Sequence, residues 1–206
     1  MTQKVSDERL GKFARKQNDW FRRVREGSLD PKEVEDVVQM IIDRGGENKI
    51  LSRLYSGETV LVGATDSTET IANSGKIFNG FLDKNFKKWG TNKPSGRSTE
   101  PTPARVYELQ QNATFQDMFY SLGRDIDELC WEQGQIINFC REHRDKLHPK
   151  GWGNLFLFKV KGEENPLVAH VLSGASGLRV DVSQFGDIDV WVAESRLRVV
   201  VPQLKP

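Results

Sequence analysis

Four short apolar runs near the end of the chain constrain its fold most. Residues 155–158, 167–172, 178–182 and 197–201 are separated by the stretch 161–166 (Lys-Gly-Glu-Glu-Asn-Pro), by Gly174-Ala175-Ser176-Gly177 and by a Gly186-Asp187 segment. Short apolar runs between such breaks read as strands, and connections this short and glycine-rich indicate an antiparallel meander. Residues 105–109 read as another strand. Residues 59–64 form a compact apolar run suited to a buried one.

Helical signals interleave with these strands. Thr114 is an N-cap for a helix over 114–122, and 124–130 reads as a second short helix. Over 133–147, Ile136, Cys140, His143 and Leu147 recur at spacings of four, three and four, which stacks them on one side of a helix. Asp66 followed by Glu69 predicts a helix beginning at residue 67, with Ile71, Gly75, Phe78 and Leu82 on its apolar face. The body over 50–206 is therefore expected to be α+β: a mixed, mostly antiparallel sheet with helices packed on one side.

A helical hairpin is expected to precede it over residues 1–46. Leu10, Phe13, Gln17, Trp20 and Val24, widened by Ala14 and Phe21, give residues 5–26 an amphipathic stripe that ends at Gly27. Asp30, Pro31 and Glu33 then form a complete helix start, with Leu29 and Val34 placed as a hydrophobic staple. Val34, Val37, Val38, Ile41 and Ile42 give the second helix its face, and Gly45-Gly46 stop it. The pair offers a route to a homo-oligomer. The first helix carries Arg9, Lys12, Arg15, Lys16, Arg22, Arg23 and Arg25 largely opposite its apolar stripe. Such a face is either a solvated surface or one that tracks an acidic protein or nucleic acid through residues such as Arg15 and Arg22.

Composition narrows the class. The chain has 206 residues, 37% of them hydrophobic, enough for a real core. No apolar run approaches the ~18–20 residues of a membrane-spanning helix, so no membrane partner is expected. The first residues lack the apolar stretch of a secretory signal, and the two cysteines, Cys130 and Cys140, suit a reducing cytoplasm. Thirty basic against 29 acidic side chains give a formal charge of +1, so the whole chain does not advertise a polyanionic partner.

One segment departs from that balance. Across 83–97, Lys84, Lys87, Lys88, Lys93 and Arg97 face a single acid, Asp83. Phe86 and Trp89 interleave with them, and residues 90–103, with three prolines, are expected to form a long irregular loop. Basic residues among aromatics are the pattern of a single-strand binding surface. The same pattern arises when the aromatics pin a loop to the core and the lysines stay solvated. Lys84, Lys87, Lys88, Trp89, Lys93 and Arg97 are the binding candidates.

Catalytic patterns are weaker. Cys140 and His143 share a helical face as a nucleophile and base would, but that face is the apolar one. Asp125, Asp127 and Glu128 form an acidic cluster able to hold Mg²⁺ beside a phosphate substrate, or simply to open a short helix. Asp187 and Asp189 are a second acidic pair. His143, His148 and His170 lack metal-ligand spacing, and no Gly-x-x-x-x-Gly-Lys, Gly-x-Gly-x-x-Gly or Gly-x-Ser-x-Gly occurs. No metal and no cofactor are expected.

From Phe78 onward the chain resembles a family of short hypothetical proteins of candidate-phyla (Patescibacteria-type) bacteria. The residues that carry the resemblance are Phe86-Lys87-Lys88-Trp89-Gly90, the strand 105–109, the stretch 136–147, Phe156-Leu157-Phe158 and the ending Val200-Val201-Pro202-Gln203-Leu204. The resemblance implies a bacterial cytoplasmic protein without an assigned activity, and it transfers no site residue. The expectation is a non-enzymatic binding or interaction module that contacts an anionic partner such as nucleic acid. The alternative is an enzyme that acts on a phosphate-containing substrate through Asp125, Asp127 and Glu128.

Overall fold

The structure is a computed structural model, and it describes residues 7–32, 34, 50–55, 58–95, 97–149, 152–160, 162–163 and 165–203. The chain divides into two compact units, Met1–Glu47 and Asn48–Pro206.

In the first unit, helix α1 (Asp7–Arg25) runs to a turn closed by Gly27, whose φ of 72° suits a residue without a side chain. The Asp30 carboxylate then accepts from the Lys32 N–H at 2.9 Å, and Pro31 and Lys32 begin a further helical turn. Beyond Val34 the expected second helix lies outside the described residues, and the hairpin pairing lies there with it. Trp20 and Val24 are half-buried, whereas Phe21 is 56% exposed.

The second unit is built on one mixed sheet. Its strands are β1 (Leu51–Leu54), β2 (Val60–Val62), β3 (Phe81–Leu82), β4 (Thr102–Leu109), β5 (Gly153–Phe158), β6 (Leu167–Gly174), β7 (Gly177–Gln184) and β8 (Arg198–Pro202). Their order is β1-β4-β8-β5-β6-β7-β3, and β2 also pairs with β4. The meander expected from the four apolar runs is present in its first three strands, with Phe156 opposite Ala169 and Val171 opposite Val180. The fourth run departs from it. β8 crosses back to lie between β4 and β5, antiparallel to the first and parallel to the second. Pro103 lies inside β4, which starts at Thr102, so the irregular loop is shorter than its prolines imply.

Burial explains the layering. Every residue of β5 is buried, and its side chains alternate between two cores. Phe156 and Phe158 join Ile136, Ile137, Phe139 and Cys140 of helix α4 (Gln133–Glu142). Leu155 and Leu157 join Phe115, Met118 and Phe119 of helix α3 (Phe115–Tyr120). Helices therefore cover both faces of the sheet, where packing on one side was expected. A strand apolar at successive positions needs a partner layer on each face, and both are supplied.

Local chemistry decides the helices. Thr114 accepts from the Asp117 N–H at 3.1 Å, and the Asp117 carboxylate accepts from the Thr114 N–H at 3.0 Å, a reciprocal cap on α3. The helix expected from residue 67 does not form. Asp66 accepts from Thr68 two residues on, Ser67 adopts a positive φ of 56°, and Glu69 is drawn to Arg141. The chain instead makes a single 3-10 turn, Ile71–Asn73. The stretch 124–130 likewise holds only the 3-10 turn Asp127–Leu129, and α4 ends at Glu142 before another turn, Arg144–Lys146.

Candidate functional site

Phe158, Leu167 and Gln184 lie in register across β5, β6 and β7. Just past this line the chain leaves the sheet, and the strand ends form the floor of a cleft of about 630 Å³. The floor includes Lys159, Pro166 and Phe185. The two layers supply the walls: Trp89 packs beside the α4 core, and Tyr120 ends α3 in the opposite layer.

Trp89 is held from below. Helix α2 (Asn85–Lys88) starts where the Asp83 carboxylate accepts from the Asn85 N–H at 2.9 Å, and the Trp89 N–H donates to the Asn85 carbonyl at 2.8 Å. Phe86 is fully buried and stacks on Phe158 with ring centroids 6.2 Å apart. The two aromatics of this segment thus have different fates. Phe86 anchors the turn and is unavailable to a ligand, while Trp89 is half-buried and lines the cleft.

Lys84, Lys87, Lys88, Lys93 and Arg97 are all exposed, and none is in an ion pair among the described residues. Of these, Lys93 lines a small recess with Ser67, Gln133 and Lys159. Lys159 also lines the main cleft, so it sits between the two. Its ammonium lies 2.5 Å from an Asp127 carboxylate oxygen, and that bond raises the lysine pKa. The Arg97 carbonyl oxygen accepts from the buried Ser67 hydroxyl, which ties the far end of the loop to the body.

The remaining candidates are dispersed. Asp125 spends one carboxylate oxygen on the Asp127 N–H at 2.9 Å, Asp127 turns to Lys159, and Glu128 is exposed. Among the described residues no group of three or more His, Cys, Asp or Glu side chains could hold a metal ion. Cys140 is buried, and burial pushes its thiol pKa far up, which disfavours the thiolate a nucleophile needs. His143 lies past the end of α4 with Nε2 2.7 Å from the Leu61 carbonyl oxygen, so that nitrogen is already engaged. In the first unit, Arg22 bonds Asp19 and Glu26, each at 2.7 Å, and the Arg15 side chain lies outside the described set.

Sequence reasoning found Trp89 and Asp127 separately and gave no reason to join them. It missed Tyr120, Lys159 and Phe185. These residues lie on three distant segments, and only the sheet register brings the segments together.

The chain matches no protein-family model, no curated protein and no solved structure. Among the described residues no helix is long and apolar enough to cross a membrane.

Proposed function

We propose that this chain is a non-enzymatic binding module for single-stranded nucleic acid, with residues 84–97 as its contact surface. One observation carries the reading: five exposed cations, without ion-pair partners among the described residues, flank an aromatic side chain that lines a cleft of about 630 Å³. A single strand needs both elements. Its phosphates are neutralised by lysines and its bases stack on aromatic faces, whereas a duplex keeps its bases stacked on one another. The two thiols are unpaired, which fits a cytoplasmic setting. Fluorescence anisotropy with labelled single-stranded and duplex oligonucleotides of equal length at low and moderate salt tests the reading. Single strands should bind more tightly and weaken steeply with salt. No binding of either at low salt makes the lysines solvent decoration.

A further inference from the structure

The lysines account for phosphates and leave the chemistry of the cleft open. Three of its side chains are carboxamides: Gln116, Asn165 and Gln184. No hydrogen bond from these side chains to another described residue is present. The buried carboxamides of the body are committed to the fold. Gln133 bonds Thr91 and Ile71, Asn138 bonds Gly63 and Ala64, and Asn154 bonds His148 and Val171. What sets Gln116, Asn165 and Gln184 apart is that they line one cleft, where an uncommitted carboxamide offers a donor and an acceptor side by side, matched to the edge of a base.

Charge points the same way. The cleft is lined by one cation, Lys159, and two acids, Asp127 and Glu163, so it disfavours a phosphate. It does not disfavour an uncharged ring. Gln116 and Tyr120 stand four residues apart on α3, which puts them side by side on one helix face. Trp89 supplies an aromatic surface from the other layer. A cleft of about 630 Å³ is within the range of small-ligand sites.

We infer that this cleft binds a nucleobase, stacked on Tyr120 with Trp89 on the facing wall, and recognised at its edge by Gln116 and Gln184. The inference rests on the single-strand reading for the source of the base, although a free nucleoside would present the same chemistry. The phosphates of a strand then lie outside the cleft, on Lys84, Lys87 and Lys88.

The experiment has two arms. In the first, anisotropy compares four labelled homopolymeric single strands with an abasic strand of equal length and charge. Calorimetry with the four uncharged nucleosides forms the second. Both arms use the full chain and the variants Tyr120→Ala and Gln116→Ala/Gln184→Ala, whose replaced side chains are exposed. Base-bearing strands should bind roughly tenfold more tightly than the abasic one, and Tyr120→Ala should remove that advantage. The double carboxamide variant should level the differences among the four bases and leave the salt dependence intact. If the abasic strand binds as tightly as the others while salt still weakens it, the base site is overturned and the lysine surface stands. If no strand binds, the single-strand reading fails. Nucleoside binding lost in Tyr120→Ala then upholds the base site for a free nucleoside, and its absence overturns that too.

Discussion

Gln133 donates from Nε2 to the carbonyl oxygen of Thr91 at 2.9 Å, so the first turn of α4 holds the loop beyond Trp89. Its Oε1 accepts from the Ile71 N–H at 3.0 Å, and Thr91 in turn donates its hydroxyl to the Phe86 carbonyl at 2.7 Å. All three bonds are buried, so the turn is fixed by groups that cannot exchange them for water. Gln133→Ala leaves one buried donor and one buried acceptor unpaired. It should destabilise the body by about 1–3 kcal/mol for each. Urea unfolding checks this, and an unchanged midpoint would refute it.

Phe86 and Trp89 should separate stability from binding. Phe86→Ala removes a fully buried ring and should cost about 3–5 kcal/mol of stability. Trp89→Ala should cost far less stability and weaken single-strand binding by about 1–3 kcal/mol. Unfolding midpoints and anisotropy on the same preparations give both numbers. Equal losses of stability would contradict the different placements of the two rings.

His170 fills the space above Gly153. A Cβ built on Gly153 would lie 1.6 Å from the imidazole Nε2, so a side chain there forces the His170 ring to move. Gly153→Ala should destabilise by about 1–3 kcal/mol. Adding His170→Ala makes room, so the double variant should lose less than the two single losses combined. Strict additivity in thermal unfolding would show that the two residues do not compete for space.

The same histidine sets a pH dependence. Burial pushes its pKa down from 6.5 to about 4. Between those values the unfolded chain binds the proton and the folded chain does not, so stability rises with pH and is lost on acidification. From pH 7 to pH 5 the loss assigned to His170 should be about 2 kcal/mol. Asp181, opposite it on β7, is held up by burial, but it is retained in the variant and drops out of the comparison. As pH falls from 7 to 5 the parent should lose about 2 kcal/mol relative to His170→Gln in unfolding measurements, and parallel curves would contradict the assignment.

Much of the body was legible because its signals are local. Thr114 and Asp117 cap α3 as their spacing requires, and the apolar runs at 155–158, 167–172 and 178–182 fall within β5, β6 and β7. The helix from residue 67 was misread because Asp66 and Glu69 have the spacing of a cap box but find other partners, Thr68 and Arg141. The place of β8 was hidden as well. Nothing in residues 197–201 distinguishes pairing with β7 from insertion between β4 and β5, since the choice depends on long-range contacts. In the site, Trp89 stood out through its basic neighbours. Tyr120, Lys159 and Gln184 carry no local mark, and only the cleft gives them a common role.

Charge reversal on the lysine surface gives the most direct measurement. The affinity of a labelled single strand is tracked over a range of salt for the parent and for Lys87→Glu/Lys88→Glu, both positions being exposed and outside any ion pair described. Each neutralised phosphate contributes about 0.7 to the slope of log affinity against log salt for a single strand. The parent should bind at low salt with a slope that reflects several phosphates. The variant should bind much more weakly, with a slope shallower by about 1.4, two phosphates' worth. A variant that binds as tightly as the parent with an unchanged slope, or a parent that binds no strand at low salt, would contradict the assignment of residues 84–97 as a nucleic-acid surface.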